Sequence, residues 1–425
     1  MGVKTRKLGN VIDQLVQWQA VHVADGSTAL TTVAGRGYFI DTTSATQAVN
    51  LPASGSSSLG DTIMLKDYAR KWATNAITLG SNTFDGNTNT PTFNTAGQTL
   101  TFVHMGGTKG WSLINEDTTT DQGTQYIAAT GGTVATSGDF KIHTFTGDGN
   151  FVVSQAGNSA GSNKVSYVVV AGAGGGSSGD VGAGGGAGGY REGRAPAFDS
   201  YTASPLVAPD GLPVSAQTYP VTVGGGGSGT PNSASSTQAS TGTPATFSTI
   251  TSAGGGGGGG STSGTKNGGA GGSGGGGSHS GNGNGGAGNT PPVSPPQGNN
   301  GGNGPGAGSP AYGSGGGGGA GAVGANGSTS NGGNGGAGVT SEITASSVAR
   351  AGGGAGSRDC NSGPFATGGT GGGGNSAGSQ GAGSNGSANT GGGGGGASGP
   401  GGGGGGGAGG TGGKGVVIIR YKFQN

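Results

Sequence analysis

Cysteine is almost absent: the chain has one, Cys360, in 425 residues. A single thiol excludes an internal disulfide framework and any cysteine-built zinc cluster. Charge is scarce too, at 8% of residues with a formal net of +1. Nucleic acid and acidic membrane surfaces are therefore not expected partners, because phosphate binding needs clustered Lys and Arg. Between Gly211 and Gly413 the charged residues are Lys266, Glu342, Arg350, Arg358 and Asp359. Apolar residues make up 29% and aromatics 5%, too little for an ordinary core along the whole length. No apolar run approaches the ~18 residues of a membrane-spanning helix. The start is basic (Lys4, Arg6, Lys7), but Asp13 and the glutamines break up LGNVIDQLVQW, so no secretion signal is expected. Arg6 stands where N-myristoylation needs Ser or Thr.

What the chain has instead is glycine. Most of its 115 glycines follow position 172, and two β-branched runs frame them: VSYVVVAG at 165–172 and GVVIIRY at 415–421. Both read as buried strands that pair with one another. The glycine tract then leaves a small sheet and returns to it, which a flexible Gly/Ser tail has no need to do. Collagen is excluded, since the Gly-X-Y period is broken and the 17 prolines cluster. Composition alone favours disorder, because ordering costs about 1 to 2 kcal/mol of backbone entropy per residue and glycine loses most. The return strand favours packed polyglycine II rods, extended left-handed helices with three residues per turn. Only glycine lets such rods approach closely enough for N–H···O=C bonds and Cα–H···O contacts between them. GGNGGAG at 332–338 keeps a period of three, which suits a rod with one exposed face.

The expected fold class is all-β. Residues 1–20 read as an arm in which Leu8, Val11, Ile12, Leu15 and Trp18 fall near helical spacing, a candidate short helix that docks on a partner or on sister chains. Residues 21–115 alternate with period two in six runs (GYFIDT, TQAVNLP, DTIMLK, NAITLG, LTFVHM, GWSLIN), separated by turn clusters, and read as a small antiparallel β domain. Residues 116–139 read as a linker. The tip domain spans 140–425 and opens with FKIHTFTGDGNFVVS, a hairpin pattern with Phe140, Ile142 and Thr144 on one face and Lys141, His143 and Phe145 on the other.

Two resemblances follow from these strings. WQAVHVADGSTALTTVAGRGYFIDTT, then VNLPAS, GDTIMLKDYA, TNAITLG and TKGWSLIN, resembles the N-terminal domain of marine bacteriophage (cyanophage-like) tail fibres and covers most of 16–117. HTFTGDGNFVV, SYVVVAG, GAGGGAGGYRE and GVVIIRY resembles the glycine-rich adhesin domain of phage tails over 139–425. The resemblance implies glycine helices packed into a sandwich with recognition loops at its end, and a homotrimer. It also implies a virion location, with a tail protein bound at the N-terminal end through Leu8, Val11, Ile12, Leu15 and Trp18, and a host surface glycan or outer-membrane protein at the other end.

Enzymatic signatures fail on inspection. Residues 174–179 spell G-x-G-x-x-G, but the glycines after them cannot form the helix that would hold a pyrophosphate. GGKG at 412–415 lacks the Ser or Thr of a phosphate loop. The acids of the tip domain, Asp180, Glu192, Asp199, Asp210, Glu342 and Asp359, show no pairing legible in sequence, and His22, His104, His143 and His279 have no metal-ligand spacing. No cofactor and no catalysis are expected.

Two segments offer recognition chemistry. Residues 189–220 gather Tyr190, Arg191, Arg194, Phe198 and Tyr201, and 356–365 offer Arg358, Asp359 and Phe365. Aromatic and Arg side chains carry most binding energy at interfaces; the competing assignment is that the aromatics cap the rod ends. The chain is thus expected to be a non-enzymatic tail fibre or adhesin. The alternatives are a free glycine-helix protein, ice-binding or structural, and a polysaccharide-degrading tail spike.

Overall fold

The computed structural model describes residues 16–80, 82–84, 86–117, 126–157, 161–232, 237–260, 265–305, 312–358, 365–378, 380–399 and 406–424. Leu8, Val11, Ile12, Leu15 and Asp359 lie outside them. The chain divides into two units, Met1–Gly123 and Thr124–Asn425. Among the described residues the architecture is all-β, and no helix is long and apolar enough to cross a membrane.

In the first unit each of the six alternating runs contains a strand. Arg36–Asp41, Thr62–Asp67, Thr99–His104 and Trp111–Asp117 lie side by side in one sheet, and Gln47–Asn50 and Ile77–Leu79 in another. The alternation puts Ile40, Val49, Ile63, Leu65, Ile77, Leu79 and Phe102 into a core that also buries Trp72 and Trp111. Only part of the unit is antiparallel as expected. Arg36–Asp41 runs parallel to Thr62–Asp67, and Leu30–Thr31, Gln47–Asn50 and Ile77–Leu79 are parallel neighbours. The reason is connectivity: successive strands alternate between the two sheets, so next-but-one strands meet pointing the same way. Antiparallel pairing begins where Thr99–His104 joins Thr62–Asp67 and Trp111–Asp117. Trp18 is not helical. Gln17–Trp18 is a short strand parallel to Arg36–Asp41, and the Trp18 ring stacks on Phe39 at 4.4 Å.

The second unit begins earlier than the expected tip domain, because Ala128–Thr130 and Thr133–Ser137, in the stretch read as a linker, are strands. Lys164–Val170 pairs antiparallel with Val416–Lys422, Val168 opposite Ile418, across almost the whole intervening tract. These two strands are buried on both faces. Val165, Tyr167, Val169, Val417, Ile419 and Tyr421 point into a core shared with the sheet of Gly149–Gln155 and Thr218–Thr222. Val168, Val170, Val416 and Ile418 point the other way, onto Ala187, Ala320, Ala351 and Ile343. That explains the continuous apolar runs. Phe140–Phe145 and Gly149–Gln155 are not a hairpin. Phe140–Phe145 pairs with Val416–Lys422 and Gly149–Gln155 with Thr218–Thr222, so the turn between them crosses from one sheet to the other and both Phe145 and Phe151 fill the space between. Asp148 Oδ1 pins that corner by accepting the Val223 N–H.

Where side chains end, the paired strands continue as paired rods. Ala173 and Gly176 donate to Gly413 and Gly410, the same antiparallel partner three residues apart. A period of three runs through the whole tract. The rod 182–189 donates from Gly182, Gly185 and Gly188 to 391–397, from Gly184 and Ala187 to 313–319, and from Gly186 and Gly189 to Gly256 and Ala253. Its carbonyls accept from 171–178, 273–278 and 351–357. It therefore has six rod neighbours, and these bond to one another in a closed ring: 171–178, 254–260, 273–278, 313–319, 351–357 and 391–397. Three residues per turn aim successive N–H groups 120° apart, which is the geometry of a hexagonal lattice. The remaining rods surround this ring, so the tract is a concentric bundle rather than a two-faced sandwich. In 331–340 burial follows the predicted period: Gly333, Gly336 and Val339 are buried while Asn334 and Ala337 are exposed.

Outer rods lack a neighbour on one side, and asparagine supplies the missing acceptor. Oδ1 of Asn267, Asn303, Asn300, Asn326, Asn334, Asn375 and Asn385 accepts the backbone N–H of Asn284, Gly285, Gly288, Asn303, Thr367, Gly368 and Thr411 respectively. Within the lattice there is no room for Cβ: one built on Gly185 would lie 2.1 Å from the Gly174 carbonyl oxygen. Gly185→Val is expected to lower the stability of the second unit by about 3 kcal/mol or more, read by denaturant titration, whereas in a flexible linker the same change is silent.

His143 sits in the sheet core, where its Nδ1–H donates to the Gly131 carbonyl at 2.7 Å and Nε2 accepts from Tyr421 Oη at 3.2 Å. Burial holds its pKa below the ordinary 6.5. As pH falls the unfolded chain takes up this proton first, so the contribution is complete above pH 6.5 and is lost below it. The melting temperature of the second unit is expected to drop between pH 7 and pH 5.5 in the native protein and to lose that slope in His143→Gln.

Candidate functional site

Antiparallel rods send the chain out and back, so the described turns lie at one of two ends. The sheet end carries 190–223, 288–297 and 339–350. The distal end carries the turns 178–181, 279–282 and 328–331 and the rod ends at 231–232, 260, 265, 305, 312, 358, 365, 378, 380–381, 398–399 and 406–408. The two recognition segments read from sequence therefore fall at opposite ends.

At the sheet end, Tyr190 and Tyr201 are buried and do not face a partner. Their hydroxyls donate to Glu192 at 2.9 and 3.0 Å, and the same carboxylate accepts from Ser341 Oγ at 2.6 Å and Ser204 N at 2.9 Å. Desolvation, then the Glu192 charge, raises both phenol pKa values, so they act as hydrogen-bond donors throughout the accessible range. Arg350 is buried beside this group and its pKa is lowered by desolvation. Next to it, Arg420 Nε donates to both Asp199 oxygens at 3.1 and 3.0 Å, Ser166 Oγ bonds Asp199, and the guanidinium lies over the Phe140 and Tyr201 rings. Arg194 holds the loop closed by donating to the Tyr201 carbonyl. Arg191 and Phe198 are half-buried. Residues 189–204 are thus a clasp over the framing strands, and their aromatics cap the sheet end of the rods. One signal was present in the sequence: Glu192 and Asp199 are acids among aromatics in a chain with little charge, and buried acids need donors.

The distal end is built differently. Rods finish there in serines small enough for the lattice: Ser177, Ser278, Ser314, Ser357 and Ser398 are all buried. Ser177 Oγ donates to the Gly259 carbonyl, Ser314 Oγ to Val181, Ser357 Oγ to Ala397 and Ser398 Oγ to Arg358. The His279 N–H donates to Ser314 Oγ, and short bridges join Val181 to Ser398 and Gly313 to Arg358. These bonds bring together the bases of loops that are far apart in sequence. Turn 178–181 leads into the central rod, so Asp180 is at the middle of the tip, and His279, Tyr312 and Arg358 come from the surrounding ring. The Arg358 guanidinium lies 4.4 Å from the Phe365 ring centroid, with Arg358 buried and Phe365 44% exposed. Asp180, His279 and Tyr312 are half-exposed. Sequence reading singled out Arg358 and Phe365 but not these three. Their one signal is position, each lying in a turn at the same end, which needs the rod directions to be known. Among the described residues no cluster of His, Cys, Asp and Glu could hold a metal ion.

The class is therefore a β-framed bundle of glycine rods whose varied side chains sit in its turns. A family described as a glycine-rich domain matches residues 146–422, more than half of the chain, and the chain belongs to that family. No curated protein sequence matches it.

Replacing one partner of the buried Asp199–Arg420 pair leaves the other charge uncompensated, which costs about 3 to 5 kcal/mol. Asp199→Ala is expected to destabilise the second unit by that amount in urea denaturation, while Asp210→Ala, which removes an exposed carboxylate paired with the half-exposed Lys164, changes stability by less than about 1 kcal/mol.

Proposed function

We propose that this chain is a non-enzymatic tail fibre or adhesin of a phage virion, attached through its N-terminal segment and binding a host-surface glycan or outer-membrane protein through the distal turns of its glycine bundle. The observation that supports this reading is the placement of side chains. Glycine rods offer a partner only backbone, whereas one end of the bundle collects Asp180, His279, Tyr312, Arg358 and Phe365 from four separate turns. An exposed aromatic ring backed by a guanidinium suits a sugar face or an apolar pocket, and flanking donors and acceptors add selectivity. The resemblance of residues 16–117 and 139–425 to phage tail fibres supplies the biological setting. A homotrimer would multiply weak contacts into avidity.

The test uses isolated labelled fibre and the bacterial strain that it adsorbs to best. Phe365→Ala and Arg358→Ala are expected to weaken adsorption about 30-fold, equivalent to roughly 2 kcal/mol, with Arg191→Ala at the sheet end unchanged. Native adsorption by both tip variants, each shown to be folded, with loss in Arg191→Ala, would place the receptor site at the sheet end and overturn this reading.

A further inference from the structure

Among the described residues the outer ring of the bundle leaves one corner open. A hexagonal shell around the inner ring has positions of two kinds, those that touch two inner rods and corners that touch one. Rods 237–243, 266–270, 298–304, 331–338, 373–377 and 409–415 occupy the first kind. Corners are filled by 224–230 on 171–178, by 283–287 on 273–278, by 322–327 on 313–319, by 366–370 on 351–357 and by 382–387 on 391–397. The remaining inner rod, 254–260, bonds to 171–178, 182–189, 237–243, 266–270 and 273–278, and no described segment covers its corner.

The groups facing that corner follow from the period of three. Gly255 and Gly258 donate to 171–178, and Gly256 and Gly259 to 273–278. Gly254 and Gly257 fall in the third direction, and among the described residues neither N–H has an acceptor, although Gly257 is buried. On one wall, Ala239 and Gly242 donate to Gly258 and Gly255, which turns their own carbonyls toward the corner; neither accepts a bond from a described residue. On the other wall the Asn267 carbonyl accepts from the Gln238 side-chain amide, which lies across the groove. Buried backbone N–H groups without partners are rare in folded proteins, and elsewhere on this bundle outward N–H groups are met by asparagine Oδ1. Among the described residues no such asparagine stands over Gly254 or Gly257.

We propose that this groove binds an extended glycine-rich strand of another polypeptide, which adopts the three-residue-per-turn conformation and completes the lattice. The occupant is defined by the walls. It must offer carbonyls to Gly254 and Gly257 and N–H groups to Ala239 and Gly242, each set three residues apart, which is the ladder a polyglycine II strand carries. It must also be glycine at its inward positions: in the filled corner 283–287, a Cβ on Gly286 would lie 2.0 Å from the Gly269 carbonyl oxygen. The mode is the rod counterpart of strand addition to a sheet edge. A second copy of this chain is not the chosen source, because the described glycine runs are already rods of their own bundle.

The probe is a synthetic peptide with the sequence of residues 281–288, added to the intact 15N-labelled protein. Saturable shifts of the Gly254 and Gly257 amides and about tenfold slower exchange at both are expected. Gln238→Ala clears the competing amide and is expected to tighten binding about threefold. The same peptide with Gly283→Val and Gly286→Val should produce neither effect. The proposal is overturned if native protein and Gln238→Ala both show no saturable shift at millimolar peptide, or if the valine peptide binds equally well. Self-association of the protein that perturbs Gly254 and Gly257 without peptide would overturn the choice of occupant.

Discussion

The second unit depends on one constraint: its backbone is its contact surface. In an ordinary core, side chains fill the space between elements and hydrogen bonds run within each element or sheet. Here every rod bonds only to other rods, and the central one meets six of them. Neighbours then lie so close that a Cβ would sit about 2 Å from a carbonyl oxygen at position after position. Glycine is required by that distance, not by turn conformation, since most lattice glycines have negative φ. Its entropy cost in ordering is met by one donor and one acceptor bond per interior residue, together with Cα–H···O contacts.

The sheet anchors this lattice at one end. Lys164–Val170 and Val416–Lys422 pair with conventional apolar packing, then run on without a break into 171–178 and 409–415. The paired strands thereby fix the register of the first and last rods. The clasp of Glu192, Asp199 and Arg420 strengthens the same end, tying the loop after the second rod to the closing strand. Serines finish the opposite end and asparagines the flanks. The few residue types between the glycines therefore have distinct places: apolar at the sheet, Ser at the tip, Asn on the outside.

Much of this was legible in the sequence. The framing runs at 165–172 and 415–421 announce a tract that returns, and GGNGGAG at 332–338 shows the three-residue period that burial of Gly333 and Gly336 displays. The hairpin at 140–155 was misread because the spacing of Phe145 and Phe151 fits a hairpin and a sheet-to-sheet corner equally well, and only the long-range partners decide. Parallel pairing in the first unit was missed for the same reason. The candidate recognition residues were half visible. Tyr190 and Tyr201 look like interface anchors by type, yet the donors that Glu192 requires draw them inward. Asp180, His279 and Tyr312 look unremarkable by type and become neighbours of Arg358 only through rod directions that no local pattern encodes.

Amide hydrogen exchange in residues 182–189 tests the ordered bundle most directly, because this rod is the furthest from solvent and contains no side chain larger than alanine. In the lattice its amides are expected to exchange as slowly as those of Lys164–Val170. Exchange at the rate of an unstructured chain, with Lys164–Val170 still protected, would show that the sheet folds and the glycine between its strands does not.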